Sequence, residues 1–157
     1  MLLLLADGTR VPVTEVPGAG PWTFLVLAAT PDPPEFLTRF GRVVLPDLGG
    51  RPGWGAALDD PESLDLVDDL DQVRTRAGLG RPVLVGLDDL APLALRAAAD
   101  QPWAWRALLV SGPAELPRLE VPALTLDADP APAVEELLGR LGPGPGWAGI
   151  APDAPPR

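Results

Sequence analysis

The sequence contains no cysteine, histidine, lysine, tyrosine or asparagine, and Ile150 is its one isoleucine. Without cysteine there are no disulfides, thiol nucleophiles or zinc–thiolate sites. Without histidine there is no imidazole metal ligand, and the commonest general base of enzyme chemistry is missing. Positive charge is also scarce: twelve basic residues, all arginine, stand against 22 acidic ones, for a net charge of −10. A chain so charged repels a phosphate backbone. Its arginines are scattered along the sequence, so nucleic-acid binding is not expected. Long apolar runs are absent too. Met1 to Leu5 has the look of a leader, but the run stops at Ala6-Asp7-Gly8, with no cationic segment before it and no small-residue cleavage site after it. No stretch approaches transmembrane length. The expectation is a soluble, cytoplasmic protein with no membrane partner.

What is present suits one folded domain over residues 1–157. The apolar share of 46% can build a core. The 17 glycines and 22 prolines fall between apolar runs, as turn punctuation does, and crowd the stretch 142–157, which reads as a Gly/Pro-rich tail. Alanine, glycine, proline, arginine, aspartate and leucine dominate, as GC-rich coding would produce, so part of the composition carries no functional message.

The order of elements is more informative. Leu2–Leu5 and Val11–Val16 flank an Asp7-Gly8 hairpin signal. Thr23–Ala28 is a continuous apolar run of the kind buried on both faces. A short helix over 34–40 and a strand over 42–46 follow. Beyond a Gly/Pro/Trp loop, Asp60-Pro61 has the form of a helix start. Leu66, Leu70, Val73 and Ala77 then form one stripe, with the acidic run Asp65 to Asp71 as the solvated face and Gly78 and Gly80 at the end. A strand over 82–85 leads to a helix with Leu90, Leu93, Ala94, Ala97 and Ala98 on one side. Strands over 106–110 and 121–126 come next. A last helix opens at Asp129-Pro130 with Val134, Leu137, Leu138 and Leu141 inward, and Trp147–Ala151 reads as an edge strand. A hairpin followed by alternating strands and helices predicts an α/β fold. The expected sheet is mainly parallel and twisted, with helices on both faces.

Three collinear stretches carry a resemblance. They are Phe40-Gly41-Arg42-Val43-Val44-Leu45-Pro46-Asp47-Leu48-Gly49-Gly50, the span from Asp68-Asp69-Leu70-Asp71 to Val85-Gly86, and the span from Leu95 to Val110. Together they resemble the α/β-hydrolase family over residues 20–157. The resemblance implies a three-layer sandwich, here without a lid domain, because Ser111 to Glu120 joins two strands directly. The family places its nucleophile on a strained G-x-S-x-G elbow between strand and helix. The matching residues are Gly86-Leu87-Asp88-Asp89-Leu90, so Asp88 stands at the nucleophile position and Leu90 replaces the second glycine. Aspartate nucleophiles occur in the family's epoxide hydrolases and haloalkane dehalogenases, where an ester forms and histidine activates the water that cleaves it. Asp129 matches the acid of the triad. No imidazole exists for it to orient. In the region where the family carries that imidazole, the chain reads Ile150-Ala151-Pro152-Asp153, with a proline in its place. The oxyanion-loop His-Gly is replaced by Ala28-Ala29-Thr30.

Several readings of these residues stay open. Asp88 and Asp89 serve as helix caps, as a relic nucleophile, or as metal ligands; Asp129 and Asp60 read as caps, and Ser111-Gly112 as a turn. Asp88, Asp127 and Asp129 are expected near the carboxyl edge of the sheet, where open parallel sheets bind ligands, with Asp47 and Asp153 able to join them. Such a cluster would suit a hard cation, although the spacing matches no metal motif. The leading expectation is a non-catalytic interaction or scaffold protein, a pseudo-hydrolase without cofactor. The alternatives are a divergent hydrolase using Asp88, or a small-ligand or cation-binding module. Trp103 and Trp105 alternate at a strand entrance and read as core or interface residues. Loss of a lid uncovers apolar surface, and Trp54, Trp103, Trp105 and Trp147 are candidates to lie near it. A homodimer is therefore expected.

Overall fold

A computed structural model describes residues 2–6, 8, 10–28, 34–47, 63–112 and 116–142. Seven strands among them form one sheet: β1 (Leu2–Leu4), β2 (Arg10–Val16), β3 (Trp22–Leu27), β4 (Gly41–Pro46), β5 (Val83–Gly86), β6 (Ala107–Ser111) and β7 (Ala123–Leu126). Their order across the sheet is β1-β2-β4-β3-β5-β6-β7. The predicted hairpin is there, with Leu3 opposite Val11 in an antiparallel pair. β2 also runs antiparallel to β4, and every pair from β4 to β7 is parallel.

Four α-helices join these strands: α1 (Glu35–Thr38), α2 (Ser63–Arg76), α3 (Ala91–Asp100) and α4 (Ala131–Leu141). Successive side chains of a strand point to opposite faces, and this divides the core in two. On one face Leu25 and Leu27 of β3 join Leu84, Leu108 and Val110 under α2 and α3. On the other, Phe24 and Val26 join Val83, Val85 and Leu109 under α1 and α4. Helices on both faces explain why β5 is buried at every position while β2 alternates. Strands covered on both sides need unbroken apolar sequence; those covered on one side need apolar residues only at every second place. The result is the three-layer, mainly parallel sandwich expected from the sequence.

α2 carries the predicted stripe: Leu66, Leu70 and Val73 are buried, and Ala77 packs against the same cluster. Gly78 and Gly80 end it with positive φ angles of 68° and 65°. Its acidic run departs from expectation, because Asp69 is buried, only 4% exposed, while Asp68 remains at the surface and bonds Gln72. Gln72 Oε1 in turn accepts the Ala6 N–H at 2.7 Å, tying the hairpin to the helix layer. Arg42 and Glu15 form a half-exposed ion pair at 2.9 Å across β2 and β4. The start of α2 at Asp60-Pro61, the loop bearing Trp54 and the strand expected over 147–151 lie outside the described residues. No helix of the described residues is long and apolar enough to cross a membrane.

Candidate functional site at the elbow after β5

β5 lies between β3 and β6, and its pairing with β3 continues one residue past its end, where the Leu87 N–H donates to Leu27 O at 3.0 Å. The chain then reverses within a single residue. Asp88 has φ +52°, the only left-handed value among the described non-glycine residues. L-residues avoid that region because Cβ crowds the following carbonyl. A 3₁₀ turn over Asp88–Leu90 follows, closed by the Leu90 N–H on Leu87 O at 3.1 Å, and it runs directly into α3. The turn brings α3 hard against β5. A Cβ on Gly86 would lie 2.5 Å from Ala94 Cβ and 3.0 Å from Ala91 Cα, so only glycine fits there. At the second small position of the family pattern, Leu90 is accommodated because its side chain is buried in the core beneath α2 and α3.

Asp88 projects at the carboxyl edge, and its partner comes from the neighbouring strand. Ser111, the last residue of β6, accepts the Asp88 N–H on Oγ at 2.9 Å. The same hydroxyl donates to Asp88 Oδ1 at 3.4 Å, a long bond. One side chain thus takes up the backbone donor of the strained turn and orients its carboxylate. Ser111, read from the sequence as a turn serine, ends β6 just before Gly112, whose φ is +99°. The partners are 23 positions apart, and only the adjacency of β5 and β6 brings them together.

The capping readings of Asp88 and Asp129 are corrected here. The residues preceding the 3₁₀ turn, α3 and α4 are Leu87, Leu90 and Pro130, and none of these starts has a side-chain cap. Asp127, beyond the end of β7, instead accepts the Asp129 N–H on Oδ1 at 2.9 Å, an Asx turn that launches α4. Asp88, Asp127 and Asp129 do share the carboxyl edge and are exposed. However, β7 stands two strands from β5, roughly 9–10 Å at ~4.8 Å per strand, and no three acidic residues among those described are grouped to hold a metal ion. The cation reading therefore loses its geometric basis. Asp47 sits beyond β4 with its N–H on Pro12 O at 2.7 Å, whereas Asp153, Ala29 and Thr30 lie outside the described residues.

Of the two tryptophans read as core or interface residues, Trp105 is fully buried, while Trp103 is 62% exposed. Trp105 Nε1–H donates to Ala97 O at 3.3 Å, so it is a core residue beneath α3. Trp54 and Trp147 lie outside the described residues. The link between β6 and β7 occupies only residues 112–122, too few for a lid domain.

No protein-family model matches the sequence, and no curated protein does. Solved structures do match. An epoxide hydrolase from Vigna radiata superposes with a TM-score of 0.58 at 22% identity, over 88% of this chain and 46% of its own length. The fold is that of the α/β-hydrolases. An epoxide hydrolase from an endophytic Streptomyces gives 0.56 at 23% identity, covering 75% of this chain and 38% of its own. The protein Cfl2 of Burkholderia cenocepacia gives 0.53 at 25%, covering 73% and 44%. The chain spans less than half the length of each of these structures. On this α/β-hydrolase scaffold the residue at the elbow is Asp88. A carboxylate there can attack an electrophilic carbon and form an ester. Releasing that ester needs a base to activate water, and these 157 residues include no histidine.

Proposed function

We propose that the chain is a non-catalytic α/β-hydrolase-fold protein whose elbow serves binding and interaction, and which acts as a homodimer in the cytoplasm without a cofactor. The observation that carries this reading is an exposed Asp88 carboxylate on a strained elbow, hydrogen-bonded to Ser111, in a sequence without imidazole. Strain of this kind costs about 1–3 kcal/mol and persists where the surrounding structure enforces it. Here Ser111, Gly86 and the continued β3–β5 pairing enforce it. The elbow is thus kept in a stretch of 157 residues that contains no histidine.

A second reading shares the same observation: Asp88 retains the nucleophilic half-reaction and stalls as an ester. Two measurements separate the possibilities. Turnover of activated esters, epoxides and haloalkanes is expected to equal that of the Asp88→Ala variant. A robust rate that vanishes in the variant would refute the non-catalytic reading. Mass spectrometry after incubation with an epoxide then decides the second reading, since a stalled nucleophile leaves a persistent adduct on the Asp88 peptide and a binding elbow leaves it unmodified.

A further inference from the structure

Arg74, Arg81 and Arg106 are scattered in the sequence, but the fold gathers them at the amino edge of the sheet, opposite Asp88. Arg81 lies two residues before β5 and Arg106 one before the adjacent β6, and the Arg106 backbone N–H donates to Pro82 O at 2.9 Å. Arg74, in the last turn of α2, reaches the same corner by donating to Gly80 O. Its charge is answered by Asp71, which accepts from Nε at 3.0 Å and from Nη2 at 2.7 Å.

The other two have no such answer. Among the described residues no carboxylate pairs with Arg81 or Arg106. Arg81 Nη2 donates to Trp105 O at 3.3 Å, and Arg106 Nη2 donates to Leu141 O at 2.9 Å and Gly142 O at 3.4 Å. The Nε of each is buried and unpartnered. Both side chains are partly buried. Burial, then the cations of Arg106 and Arg74, pull the Arg81 guanidinium below its ordinary pKa.

Among the described residues this leaves two partly buried cations at one edge of the sheet with no carboxylate beside them. Cations taken partly out of water need a compensating charge. The carbonyls at the end of α4 supply only the partial charge of a helix terminus. A guanidinium has five N–H donors, and the bonds to carbonyls use few of them. Two adjacent forks of this kind suit an anion with several oxygens, which can accept from both at once.

We propose that Arg81 and Arg106 form a binding site for a phosphate-type oxyanion at the amino edge of the sheet. The site is separate from the elbow and does not depend on whether the elbow is catalytic.

Inorganic phosphate is the probe. Titrating the intact chain into phosphate should broaden its ³¹P resonance saturably, and sulfate should reverse the broadening. Phosphate should also raise the melting temperature by several degrees to a plateau. Arg81→Gln and Arg106→Gln are expected to abolish the rise, while Arg42→Gln, at the distant pair with Glu15, leaves it unchanged. If the glutamine variants fail to fold, Arg106→Lys keeps the charge but not the fork, and should weaken binding at least fivefold. Absence of saturable broadening would overturn the proposal. So would an equal rise from sodium chloride at matched ionic strength, an equal rise from acetate, or a rise that survives both Arg81→Gln and Arg106→Gln.

Discussion

Asp88 is a carboxylate in a backbone conformation that glycine adopts freely, and this gives the elbow a direct stability test. Asp88→Gly relieves the left-handed strain but adds chain entropy to the unfolded state. Asp88→Ala keeps the strain and loses the acceptor of the Ser111 hydroxyl. The glycine variant should therefore be the more stable of the two by about 1 kcal/mol. Comparison of urea midpoints at a common slope measures the difference. An alanine variant as stable as the glycine variant would mean that Asp88 is not strained in solution. The Asp88 position was legible from the sequence because the elbow spacing carries over with Gly86 in place. Its partner was not, because Ser111 lies on another strand and nothing local marks it. The buried Asp69 was hidden for a similar reason: it sits within an acidic run that composition alone assigns to solvent.

The unit that presents Asp88 is β5, the 3₁₀ turn and α3, and its rigidity depends on how closely the helix approaches the strand. Gly86 is the point of contact. In Gly86→Ala the new methyl would stand 2.5 Å from Ala94 Cβ and 3.2 Å from Leu90 O, which forces α3 outward or strains the turn. Overpacking of this kind costs about 1–3 kcal/mol. The nearest atom belongs to Ala94, so adding Ala94→Gly should recover part of the loss despite the lower helix propensity of glycine. A double-mutant cycle reads the coupling. Strictly additive losses would show that β5 and α3 do not press on each other at this point. Elements of this kind were the most legible part of the chain. The runs that became β3, β5 and β6 are apolar without alternation because both faces are covered, and α2 and α3 announce themselves by spaced apolar residues. The alternation of Trp103 and Trp105 marked them as core or interface residues, which holds for Trp105, but nothing local shows that Trp103 is the one left exposed. The convergence of Arg81 and Arg106 was hidden likewise, being a product of strand order.

At the scale of the whole molecule, β1 forms an apolar margin of the sheet among the described residues. β1 pairs only with β2, and no other described strand lies along its outer edge. On that strand Leu2 and Leu4 are 58% and 56% exposed, while Leu3 points into the core. Open strand edges promote association, and proteins that remain monomeric guard them with charge, proline or a bulge. The strand Leu2–Leu4 carries none of these, and an antiparallel pairing of two copies across a two-fold axis would satisfy both edges with the same residues. The opposing force is the net charge of −10 on each copy, which is long-ranged and falls with ionic strength. The proposed homodimer should therefore tighten as salt rises, the reverse of an assembly held by ion pairs. Sedimentation velocity at micromolar concentration is expected to show a dimer at moderate salt and a shift towards monomer at low salt. Leu4→Glu places a like charge on each copy at the contact and should leave a folded monomer at every salt concentration. A wild-type chain that sediments as a monomer at high concentration and moderate salt would remove the homodimer from the proposal. A dimer untouched by Leu4→Glu would keep the homodimer but move its interface away from β1.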